Sequence, residues 1–245
     1  MQTEKSKQPR GNVLFLILIA VALFAALSYA VTKSSQSGKD EAPKETVSAV
    51  VNTAALTQYP STIRTAVLGL IVNGVDPVDM LFNKPEQFTG EGYTAYDAAK
   101  AKGVFNEAGG KAVYQQVPGN MTVSGQPIDW AFTLDFEVPL VGLSSPSSLA
   151  GNDLIAFASG VSQTACARVN QELYNDATIP VAGTPVVIGN NRLATATLPV
   201  APAAETVLTS STPSARWFEG KSDGCFQNGV AAGSPFVYYY VLAER

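Results

Sequence analysis

The chain has 245 residues, with 16 Lys plus Arg against 20 Asp plus Glu and a formal net charge of −4. Its basic residues are scattered, which argues against a nucleic-acid groove. Histidine is absent, and with it go the commonest general base, the commonest metal ligand and every histidine-dependent catalytic triad.

The first predicted element is residues 13–31, nineteen residues without a charge. As a helix they would span roughly 28 Å, about the thickness of bilayer hydrocarbon. Lys5, Lys7 and Arg10 precede this run against a single Glu4. Lys33, Lys39 and Lys44 follow it, offset by Asp40, Glu41 and Glu45. With so short a leader before a first span, the expected orientation is N-terminus cytoplasmic and everything after residue 31 outside. Three fates of the segment fit: a secretory signal peptide cut near Ala30, an uncut signal anchor, or a leader removed just before an apolar helix that is kept.

Residues 32–44 are polar and contain Gly38 and Pro43, which predicts a stalk. Val47, Val50, Val51, Ala54 and Ala55, then Ile63, Val67, Leu70 and Ile71, recur at spacings of a helix with one apolar face. Pro60 is expected to interrupt that helix and Ser61 to cap its second piece. Residues 76–120 read as loops with a short helix near 95–102. Residues 128–138 alternate strictly: Ile128, Trp130, Phe132, Leu134 and Phe136 against Asp129, Ala131, Thr133, Asp135 and Glu137. That pattern predicts an antiparallel strand with one wet face.

Residues 154–158 predict a short strand, and Ser162 opens a helix to about Tyr174 that buries Cys166, Val169 and Leu173. Residues 186–188 and 193–198 read as a hairpin across Gly189-Asn190-Asn191. Residues 199–215 read as an exposed loop, and 236–242 as a terminal strand.

Cys166 and Cys225 are the two cysteines of the chain. In an exported domain an even pair reads as one disulfide, the alternative being two buried thiols. Closed, the bridge would be worth on the order of 4 kcal/mol. No metal or cofactor is expected. Gly109-Gly110-Lys111 lacks the rest of a phosphate cradle, and Ser159-Gly160 is not a nucleophile elbow. The pairs Asp76/Asp79 and Asp135/Glu137 have no supporting cluster for acid/base work. Residues 73–79 and 221–224 lack the alternating oxygen ligands of a strong calcium loop. Candidates for partner contact are Trp217, Phe218, Tyr238, Tyr239 and Tyr240, with Tyr239 facing opposite to its neighbours.

The string Lys7-Gln8-Pro9-Arg10-Gly11 followed by Asn12-Val13-Leu14-Phe15-Leu16 resembles the leaders of type IV pilins and type II secretion pseudopilins. The resemblance implies cleavage after Gly11 by a prepilin peptidase, methylation of Asn12, and a helix that joins other pilin-like subunits in a filament core. The fifth mature residue, usually Glu in major subunits, is Leu16 here, which implies a minor or tip-like subunit. It also implies a pilin-like α+β fold: a transmembrane helix, then an amphipathic helix packed on an antiparallel sheet, with one disulfide. The expected organisation is leader 1–11, anchor 12–31, stalk 32–44 and globular domain 45–245. The chain would be a non-enzymatic structural subunit, held in inner-membrane lipid by one span, with its domain periplasmic or at the cell surface. The alternative is a signal-anchored binding or adhesion domain with no filament role.

Overall fold

The computed structural model describes residues 44–85, 97–142, 151–189 and 206–245. The chain divides into two compact units, Met1–Ser48 and Ala49–Arg245, and the sheet with its cores belongs to the second.

Helix α1, Lys44–Val72, runs through Pro60 without a break. A proline inside a helix costs about 3 kcal/mol. Against that, Leu56, Tyr59, Ile63, Val67 and Leu70 fall on one stripe and all are buried, each worth roughly 1.5–3 kcal/mol. Burial outweighs the local defect. Ser61 therefore caps nothing, and its carbonyl accepts from Thr65 Oγ1 at 3.2 Å. Of the segment 76–120, Pro77–Asp79 forms a 3-10 turn and Asp97–Lys100 a single turn, α2.

The strands are β1 Ala131–Glu137, β2 Asp153–Val161, β3 Val181–Ala182, β4 Thr206–Val207, β5 Ser210–Thr212, β6 Asp223–Gln227 and β7 Phe236–Ala243, with helix α3, Gln163–Tyr174, after β2. They form one seven-stranded sheet in the order β4-β1-β2-β7-β6-β3-β5. β1, β2, β7 and β6 are antiparallel neighbours, whereas β4 runs parallel to β1 and β3 parallel to β6. β4 and β5 lie at opposite ends of this order, yet only residues 208–209 separate them. Three Cα steps, from Val207 to Ser210, reach no more than about 11 Å. The sheet must therefore curl until one short segment closes both edges.

The curl gives the sheet two cores. Trp130, Phe132, Leu134, Ala156 and Tyr238 pack on one face with the α1 stripe and with Cys166 and Val169 of α3. Phe136, Phe157, Phe226 and Tyr239 pack on the other with Leu208, Trp217 and Phe218. This enclosed core joins aromatic rings to aliphatic side chains such as Val138, Ile155 and Val241, with Phe218 edge-on to Phe226 at 5.3 Å and Phe136 edge-on to Phe157 at 5.5 Å.

The expected pilin-like α+β fold is corrected. A mixed, curled sheet dominates, and among the described residues no helix is long and apolar enough to cross a membrane. Residues 12–31, where the anchor is expected, lie outside the described residues. The wet face of β1 is corrected too, because Thr133 and Glu137 are buried. A register shift between Thr133 and Phe136 moves Phe136 to the enclosed core, away from Trp130, Phe132 and Leu134. An extra residue in a strand reverses the alternation beyond it, and strict sequence periodicity does not reveal it. Residues 186–188 are irregular, and the second half of the expected hairpin lies outside the described residues. The expected loop 199–215 contains both closing strands, β4 and β5.

Candidate functional site

Helix α3 begins where its sequence signals it, the Ser162 hydroxyl accepting from Ala165 N at 3.3 Å. One turn on, the structure brings Cys166 and Cys225 together in a disulfide with Cα atoms 5.2 Å apart, both cysteines fully buried. A second link lies one turn further. The buried Asn170 side chain accepts from Cys225 N at 2.9 Å and donates to Cys225 O at 2.8 Å and Thr178 O at 2.9 Å. Its amide thus takes the place of a neighbouring strand along β6, whose contact with β3 is confined to Gln227. Nothing in the sequence reading pointed to Asn170. Its position four residues after Cys166, on the buried face of the same helix, was the available signal.

Beside this staple, Lys221 Nζ sits 3.8 Å from the Trp217 ring centroid and 4.6 Å from that of Tyr174. Partial burial lowers its pKa, opposed by the charge of Asp176. The Tyr174 hydroxyl donates to Asp223 O. Trp217, Phe218, Tyr238 and Tyr239 are all buried, so these aromatic candidates build the cores rather than a surface. Tyr239 does oppose Tyr238, lying in the enclosed core while its neighbour lies under α1.

A polar cluster stands at the start of β1. Asp129 takes Lys84 Nζ at 2.9 Å, Tyr114 Oη at 2.7 Å and Gln116 Nε2 at 2.8 Å. Burial opposes its ionisation, but these three donors outweigh that and hold its carboxyl below the ordinary value. The same contact works the other way on Tyr114, whose pKa is raised by burial and then by the Asp129 acceptor and charge. Tyr114 forms one wall of an open cleft of about 990 Å³, whose lining includes Lys100, Phe105, Asn106, Glu107 and Lys111. Lys100, Lys111, Phe105, Tyr114 and Glu107 converge there.

The remaining sequence candidates are dispersed. Asp76 Oδ1 accepts from Val78 N at 2.9 Å, and Asp79 pairs with Lys102 at 2.8 Å. Asp135 accepts from Thr133 Oγ1 at 2.9 Å. Gly109 and Gly110 form a tight turn, where a Cβ on Gly109 would fall 2.2 Å from Gly103 O. That close approach accounts for the glycine without a phosphate. Among the described residues no three His, Cys, Asp or Glu side chains gather as metal ligands. Gly11 and Asn12 lie outside the described residues. Comparison with protein-family models, curated proteins and solved structures finds no match.

Proposed function

We propose that the chain is a membrane-anchored, non-enzymatic structural subunit of an extracytoplasmic filament of the type IV pilus or type II secretion kind, in a minor or tip-like position. The observation that carries this is the junction Arg10-Gly11-Asn12, where a basic leader meets an uncharged run of anchor length. A histidine-free sequence supports a structural over a catalytic role. The disulfide supports an oxidising compartment, periplasm or cell surface, since such bonds are rare in the cytosol. The partners are then the prepilin peptidase, inner-membrane lipid and other subunits bearing the same leader. The corrected fold lends no weight to this function.

Intact mass of the membrane-extracted protein decides it. The expected mature chain begins at Asn12 and carries a methyl group. A chain beginning at Met1, or cut near Ala30, overturns the filament role.

A second reading, a tethered binding or adhesion domain, draws on the cleft beside Tyr114. Leu16 bears on position within a filament, the mature amino terminus on the choice between the two readings. Without a glutamate there, a neighbour's buried ammonium goes unpaired, which is costly in low dielectric. As a tip-like subunit, the purified protein is expected to stay monomeric or join small hetero-complexes. Homopolymeric filaments under the electron microscope would refute the tip position.

A further inference from the structure

Residues 111–116, between the tight turn at Gly109-Gly110 and the bridge of Val117 to Ile128, run without turn or bend and outside the sheet. Side chains and neighbouring backbone hold the segment in place. Ala112 N donates to Val104 O at 3.0 Å, Gln115 N to Tyr59 Oη at 2.8 Å, and Tyr114 Oη to Asp129 at 2.7 Å. The backbone between these contacts is bare. Among the described residues nothing hydrogen-bonds to the N–H or C=O of Val113 and Tyr114, or to the N–H of Gln116. Exposure alternates as in a strand, with Lys111, Val113 and Gln115 exposed and Ala112 and Tyr114 half-buried. Val113 is 73% exposed. No proline in the six residues withholds a donor.

The cleft of about 990 Å³ runs beside the first part of this segment, which contributes Lys111, Val113 and Tyr114 to its lining. Its size is that of a ligand pocket. Phe105, edge-on to Tyr114 at 5.2 Å, adds an apolar wall. Lys100 and Lys111 bring two positive charges against the one carboxylate of Glu107.

We propose that residues 111–116 are a docking edge, at which an extended acidic segment of another protein adds as a strand along the cleft. The bare backbone dictates the shape of the occupant. A peptide in β conformation satisfies the Val113 and Tyr114 amides and carbonyls as a neighbouring strand would. Open edges of this kind recruit other chains unless something covers or blunts them. The lysines dictate its sign, since carboxylates on the added strand meet Lys100 and Lys111. The edge belongs to the Ala49–Arg245 unit, so the proposal stands under either reading of the anchor.

Hydrogen exchange on the full chain in detergent tests the edge itself. The amides of Val113, Tyr114 and Gln116 are expected to exchange near their intrinsic rates, with Ala112 slower. Protection of about a hundredfold at all three in the free chain overturns the proposal, because another part of the chain or a second copy then already covers the edge. The probe for the occupant is a random heptapeptide library displayed on phage, selected on the full chain and counter-selected on empty micelles. Enriched peptides are expected to be acidic and to slow exchange at 113–116 when bound. Methylating one alternate set of their backbone amides should weaken binding by about tenfold or more and the other set much less, because only every second amide of an added strand faces its neighbour. Lys111→Glu should weaken the acidic peptides by a similar factor. Val113→Pro, which deletes one bare donor at an exposed position, should weaken them too. If that variant does not fold, the methylated peptides still decide, since they leave the protein untouched. No enrichment over micelles, equal effects of the two methylated sets, or enrichment of basic peptides overturns strand addition at this edge.

Discussion

Cys166→Ser is expected to lower the stability of the folded domain by roughly 2–5 kcal/mol, the ordinary cost of losing a native disulfide. The bridge closes a separation of 59 residues, which contains β3, β4, β5 and most of β6. Most of that stretch is tied to the sheet by strands of two or three residues, too short to hold on their own. Loss of the bridge restores chain entropy to the unfolded state where the native contacts are weakest. The Asn170 amide partly protects the variant, because it still holds Cys225 to α3 through two backbone hydrogen bonds. The double variant Cys166→Ser/Asn170→Ala is therefore expected to lose more than the sum of the single losses, since each link keeps the other's groups in place. Chemical denaturation of the four proteins, with thiol counting, checks it. Two reactive thiols in the untreated native protein would remove the premise.

Elements with a period of their own were legible in the sequence. α3 announces itself through Ser162 and the spacing of Cys166 and Val169, and β7 through an unbroken run of strand formers. The pairing partners of those elements were not legible. β4 and β5 hold only two and three residues, inside a stretch rich in Pro, Ala, Ser and Thr, and segments so short carry no periodicity. Their role comes from position, at the two edges of a sheet built by residues far away in the chain. The same holds for Glu137, which reads as solvent-facing by alternation yet is buried on a strand covered on both faces, Thr133 being buried ahead of the register shift. Pro60 misled for a different reason, since a local helix breaker was overridden by five buried neighbours. Asn170 shows the limit most sharply. Its partner is a backbone 55 residues away, and propensity says nothing about it.

Leu208→Asp is expected to unfold the enclosed core. Leu208 lies between the two closing strands, is 2% exposed, and packs among Phe136, Trp217, Phe218 and Tyr239. Truncation alone, Leu208→Ala, should cost about 2–5 kcal/mol in transfer and cavity terms. A carboxylate adds the penalty of an unpaired charge in an aromatic interior, several kcal/mol more. The sum approaches the whole stability of an ordinary domain, about 5–15 kcal/mol. Thr206→Asp places the same charge two residues earlier on an exposed position, where the expected change is within about 0.5 kcal/mol. Near-ultraviolet circular dichroism reports the outcome, because Trp217 and the rings around it belong to this core. Leu208→Asp should lose that signal and the cooperative melt, with Thr206→Asp retaining both. A native spectrum and an unshifted melting temperature in Leu208→Asp would mean that residues 206–212 do not close the sheet, and the curled topology would have to be abandoned.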